Sequence, residues 1–197
     1  MPKPLKSTGA RRPRTSSKVS SELDAGLRVV YTPSQIRQRV NRLARQMNRD
    51  YKGKTLHVVG ILETCFMFMA DLVRALRVPV VCHFVRADMA DTTVEGVPVR
   101  EIRYTPAVDA TGKDVLLVNG VLYSGVTLDY LYRYILGQGP GSVRTATLIE
   151  RPQEKKVDVA TDYLGFRTAA SGYLVGYGLA YQGRHQNLPC IALVARA

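Results

Sequence analysis

Residues Gly112 to Leu128 read Gly-Lys-Asp-Val-Leu-Leu-Val-Asn-Gly-Val-Leu-Tyr-Ser-Gly-Val-Thr-Leu. Val115–Val121 is almost wholly apolar, the composition of a strand buried on both faces of a parallel sheet. A short Ser-Gly turn follows. Leu128, Leu131, Tyr132, Ile135 and Leu136 then recur on one face of a helix, which Gly137, Gly139 and Gly141 terminate. A buried strand that turns directly into a helix is one unit of an α/β domain.

The same alternation extends in both directions. Upstream, Leu56–Ile61 predicts a buried strand, Phe66–Leu76 an apolar helix and Val78–Val85 the next strand. A polar stretch with Asp88, Asp91 and Gly96 leads to a strand over Arg100–Tyr104, and Ser142–Ile149 supplies another. Nearer the start, Thr32 is placed to cap a helix with Pro33 in its first turn. Ile36, Val40, Leu43, Ala44 and Met47 form its apolar stripe, and Arg37, Arg39, Arg42, Arg45 and Arg49 cover much of the rest. Strands alternating with helices of about ten residues indicate an α/β fold with a mainly parallel sheet.

A length of 197 residues, 46% hydrophobic and 22% charged, suits one globular domain and a tail. The apolar runs stop short of the roughly 18–20 residues that cross a bilayer. No secretory signal pattern is evident, so a cytoplasmic, intracellular protein without a membrane partner is expected. Cys65, Cys82 and Cys190 lie far apart in apolar runs and read as reduced, mostly buried thiols. His57, His83 and His185 are separated in sequence and form no triad or ligand spacing, and His57 reads as a structural strand residue.

The net charge of +12 is uneven. The first fifty residues carry twelve Lys/Arg against three Asp/Glu, whereas the remaining 147 carry sixteen against thirteen. Residues 1–26 read as a disordered basic tail and 27–197 as the folded domain. Lys3, Lys6, Arg11, Arg12, Arg14 and Lys18 stand among Pro, Ser, Thr and Gly, with no acid before Glu22. They form a candidate polyanion-binding segment, with nucleic acid or an acidic protein surface as its partner.

Particular residues extend the reading beyond fold class. Val58-Val59-Gly60-Ile61-Leu62 with Phe66–Leu72, Gly112–Val118 running into Ser124–Leu128, Arg151-Pro152, Asp162–Phe166, Leu174–Leu179 and Asn187-Leu188-Pro189 follow one another in a fixed order. Together they resemble the hypoxanthine-guanine phosphoribosyltransferases, from about Tyr31 to Val194. The resemblance implies a type I phosphoribosyltransferase fold, a central mainly parallel sheet flanked by helices with a small hood. It also implies purine salvage: transfer of ribose phosphate from phosphoribosyl pyrophosphate (PRPP) to a purine, with magnesium, by an oligomeric protein.

The residues that would carry this chemistry are replaced. The two ribose-binding acids of the PRPP loop fall at Asn119 and Gly120, and the general base at Tyr123. A glycine accepts nothing, and a phenol with a pKa near 10 is a poor base at neutral pH. The Leu-Lys-Gly of the pyrophosphate loop reads Leu62-Glu63-Thr64. A carboxylate about 4 Å from an anionic charge repels it by about 4 kcal/mol at an effective dielectric near 20. The purine-recognising lysine becomes Ala160, the magnesium aspartate Ala180 and the following arginine Gln186. The lid aligns with Asp88-Met89-Ala90-Asp91.

Ser124, Gly125 and Thr127 retain the 5′-phosphate cradle and could hold an anion, or could simply cap and turn into the helix. Tyr173 retains the base-stacking aromatic. The expected function is therefore a catalytically inactive phosphoribosyltransferase-like protein, without catalytic residues, metal or cofactor. It would act through homo-oligomerisation or hetero-oligomerisation with a related phosphoribosyltransferase. Two alternatives stand beside it: a basic-tailed nucleic-acid-binding or regulatory protein, and a purine-salvage transferase with altered or residual activity, for which magnesium would be needed.

Overall fold

The computed structural model describes residues 26–94, 97–105 and 108–194, with the backbone alone between 87 and 105. The basic segment Met1–Ala25 lies outside the described residues. In chain order the elements are β1 (Leu27–Tyr31), α1 (Pro33–Asp50), β2 (Leu56–Leu62), α2 (Phe66–Ala75), β3 (Val80–Val94) and β4 (Val97–Thr105). There follow β5 (Asp114–Leu122), α3 (Val126–Leu136), β6 (Ser142–Glu150), β7 (Tyr163–Arg167), β8 (Tyr173–Val175) and β9 (Ile191–Val194).

The main sheet runs β4-β3-β2-β5-β6-β7. Its five strands from β3 to β7 in that order are mutually parallel, and β4 pairs antiparallel at the edge. A small antiparallel sheet, β1-β9-β8, forms a separate hood. The expected type I phosphoribosyltransferase architecture is present.

Local chemistry accounts for the elements that position the parallel sheet. Thr32 caps α1 in a reciprocal capping box with Gln35. The predicted stripe Ile36, Val40, Leu43, Ala44 and Met47 is buried against Phe68 and Leu72 of α2 and Leu116 of β5. On the other face, Val59, Val115 and Leu117 pack against Leu128, Leu131 and Ile135 of α3. Full burial of each such side chain contributes about 1.5–3 kcal/mol.

Three expectations change. The polar stretch around Asp88 and Asp91 is not a loop between strands: β3 runs on to Val94 and pairs with β4 in register Thr92↔Val99 and Val94↔Val97. The β-branched residues clustered here favour strand. The side chains of the aligned lid residues Asp88-Met89-Ala90-Asp91 lie outside the described residues. Cys82 is exposed, unlike buried Cys65 and Cys190. It lies on the stretch of β3 before Arg86, where β4 pairing has not begun, so neighbouring Val81 and Phe84 are also exposed. Finally, strand register brings His57 and His83 together, with Nδ1 of His57 3.2 Å from Nε2 of His83.

Candidate functional site

The C-terminal ends of the parallel strands form one edge, the usual place for a site in an open α/β sheet. β2 delivers Glu63 and Thr64 there, β5 delivers Asn119, Gly120 and Tyr123, and β6 delivers Glu150 and Arg151. The positions expected to correspond to the PRPP and pyrophosphate loops are thus gathered by the fold.

Gly120 and Thr64 are in direct contact. A Cβ added at Gly120 would lie 2.2 Å from the Thr64 carbonyl oxygen and 2.8 Å from its Cβ. No side chain fits unless the Thr64 backbone moves, so the loop of β2 fills the place that a side chain at position 120 would take. Asn119, the other member of the pair, is buried at 7% exposure opposite Thr147. The Leu62–Glu63 peptide is cis. Glu63 itself is exposed, with Oε1 3.8 Å from the Arg86 guanidinium. A solvated pair of that length contributes at most about 1 kcal/mol.

Tyr123 lies under a cation. The Arg151 guanidinium carbon is 5.6 Å from its ring centroid. Arg151 is 5% exposed and donates to the carbonyls of Gly172, at 2.9 Å, and Ala170, at 2.6 Å. It also pairs with Glu154 at 2.9 Å. Burial pushes the Tyr123 phenol up from its ordinary pKa, against the opposing pull of Arg151. A phenol held neutral in this way is still less able to accept a proton at neutral pH.

Glu150 was not singled out from sequence. It is 6% exposed, accepts from Arg167 Nε at 2.6 Å and lies 3.9 Å from Lys155 Nζ. A charged residue directly following the apolar pair Leu148-Ile149 was the available signal. Its place in register with Leu122, beside the degenerate loop, comes only from the sheet.

The expected phosphate cradle is a tight turn into α3. Gly125 adopts a left-handed φ of 86° at the N-cap of α3, where a Cβ would meet the Val157 carbonyl oxygen at 3.0 Å. The helix has no side-chain cap bond from this residue. Ser124 Oγ instead accepts the Val126 N–H at 3.4 Å, and its carbonyl accepts from Lys156 and Val157. Thr127 sits half-buried in the first turn. Amides at a helix N-terminus suit an anion.

Across the hood, Tyr173 stacks on Tyr181 with ring centroids 4.1 Å apart. One face of Tyr173 is therefore covered by the chain itself. Ala160 and Ala180 are exposed, and Gln186 is half-buried with its carbonyl accepting from Gly178. Hard cations such as magnesium need oxygen donors, usually carboxylates. Ala180, at the position expected for the magnesium aspartate, supplies no carboxylate, so it does not fit the ion.

The chain matches the phosphoribosyl transferase domain family over residues 30–182. It is 34% identical over 165 residues to a hypoxanthine-guanine phosphoribosyltransferase of Dictyostelium discoideum, covering 82% of this chain and 91% of that one. It is 35% identical over 169 residues to the hypoxanthine phosphoribosyltransferase of Salmonella typhimurium, covering 84% and 94%. Among solved structures, the Trypanosoma cruzi hypoxanthine phosphoribosyltransferase in complex with the product IMP superposes with a TM-score of 0.79. The identity is 27%, over 88% of this chain and 97% of that one.

Proposed function

Since the chain belongs to the phosphoribosyltransferase family, on its hypoxanthine-guanine branch, we propose that it acts there without performing the transfer. It serves instead as a folded partner, in a homo-oligomer or with a related phosphoribosyltransferase. The observation that carries this reading is the contact between Gly120 and Thr64, which fills the place of a ribose-binding acid. Neutral Tyr123 at the position of the base supports it. The bare stretch of β3, with Val81 41% and Phe84 48% exposed, supports association.

Purine salvage is the second reading, and the comparisons weigh for it more than for inactivity. The relatives bear the names of transferases and match over most of both chains. The retained cradle at Ser124, Gly125 and Thr127 also suits a nucleotide phosphate. No helix among the described residues is long and apolar enough to cross a membrane.

One assay separates the readings. The full chain is incubated with PRPP, magnesium and labelled hypoxanthine, guanine or xanthine. No nucleotide above a mock preparation is the expected result. Turnover abolished by Tyr123→Phe or Ser124→Ala establishes purine salvage and overturns the first reading. Light scattering tests association separately, with a clean 21.8 kDa monomer as the contrary outcome.

A further inference from the structure

At the opposite edge of the main sheet, a groove of about 900 Å³ opens between the C-terminal ends of α1 and α2. Gly53 and Pro79, which precede β2 and β3, place it at the N-terminal ends of the strands, away from the degenerate cleft. Arg45, Arg49, Lys52, Arg74 and Arg77 line it, and no acidic residue does. Arg74 is paired with Asp71. Among the described residues, the other four form no ion pair.

The groove is built rather than incidental. Asn48 on α1 donates to the Ala75 carbonyl at 3.3 Å and accepts from the Arg77 N–H at 2.7 Å, tying both walls together. A second groove, of about 510 Å³, shares Arg45 and adds Arg39 and Arg42, again with no acid. The Arg39 guanidinium is held over the Phe166 ring at 5.4 Å.

Complementing the helix ends does not account for this charge. Two helix C-termini together present about one negative charge. Four unpaired cations exceed that by about three. Along α1 and just beyond it, Arg42, Arg45, Arg49 and Lys52 recur every three or four residues, roughly 4.5–6 Å at about 1.5 Å per residue. That repeat suits successive phosphates of an extended strand.

We propose that this groove binds a single strand of nucleic acid by its phosphodiester backbone, without reading sequence. The lining has no aromatic side chain on which bases could stack, so affinity rests on phosphate contacts and falls steeply with salt. The proposal does not depend on whether the degenerate cleft is active.

The test is fluorescence anisotropy of the full chain with a short labelled single-stranded RNA between about 50 and 200 mM salt. Arg49→Glu with Arg77→Glu is compared with an equal charge change at exposed Arg28→Glu and Arg184→Glu, and circular dichroism checks that each variant folds. The groove variant is expected to lose at least tenfold in affinity, and its log–log salt slope to shrink by about 1.4, two phosphates at about 0.7 each. The control pair is expected to change the slope far less. Equal losses in both variants, no binding by the full chain, or undiminished RNA binding by a groove variant that has lost the ability to bind an acidic peptide would each overturn the proposal.

Discussion

The α-carbon of Gly120 rests against the backbone of Thr64, so close that a Cβ at Gly120 would lie 2.2 Å from the Thr64 carbonyl oxygen. In sequence these are two distant positions, one at the end of each of two strands. In space they share one contact, since the loop of β2 occupies the place that a side chain at Gly120 would take. Gly120→Asp is therefore expected to destabilise the fold by about 1–3 kcal/mol through overpacking. Urea denaturation midpoints check this. Combined with Thr64→Gly, which frees the loop to retreat, the two changes are expected to be non-additive, with the double variant more stable than the sum of the singles. Additive costs would show that the contact is not shared.

Tyr123 is expected to stay protonated throughout the physiological range, because burial pushes its phenol up. The check is an ultraviolet difference titration of the wild type against Tyr123→Phe. No phenolate attributable to this residue is expected below about pH 10. Tyr123→Ala removes the ring beneath Arg151 and is expected to cost about 0.5–2 kcal/mol from the lost cation–π contact alone.

The His57–His83 contact gives stability a direction with pH. Burial, then His83 and Lys113, lower the His57 pKa, while Asp109 opposes them. The unfolded chain therefore binds the His57 proton more readily than the folded chain does. The contribution is complete above the unfolded value near pH 6.5 and is lost as pH falls toward the lowered folded value. Denaturation midpoints should drop between about pH 7.5 and about pH 5. His57→Gln should flatten that part of the profile. An unchanged slope in the variant would assign the pH dependence to other groups.

Glu150 is buried while its partner Arg167 remains largely exposed. Replacing it with Ala strands no cation, because water reaches Arg167 and Lys155 keeps its 2.9 Å pair with Asp158. The expected cost is about 1–3 kcal/mol, the value of a charge-assisted hydrogen bond. Thermal denaturation of Glu150→Ala measures it, and Glu150→Gln should recover part of the loss by keeping one acceptor.

Much of this protein could be read from neighbouring residues alone. The apolar run of β5, the turn at Ser124 and Gly125, and the stripe and cap of α1 follow from periodicity and local hydrogen bonding, which depend on residues within a few positions of one another. That Asn119, Gly120, Tyr123 and Ala180 carry no carboxylate is likewise legible, because a side chain's capacity to accept a proton or hold a cation is intrinsic to it. Only the tertiary structure decided that Gly120 meets Thr64, that His57 faces His83, and that Asn48 closes a basic groove with Arg77. Those relationships depend on strand register and on how helices seat against the sheet. Both are set by the burial of distant residues together, so no local stretch of chain records them.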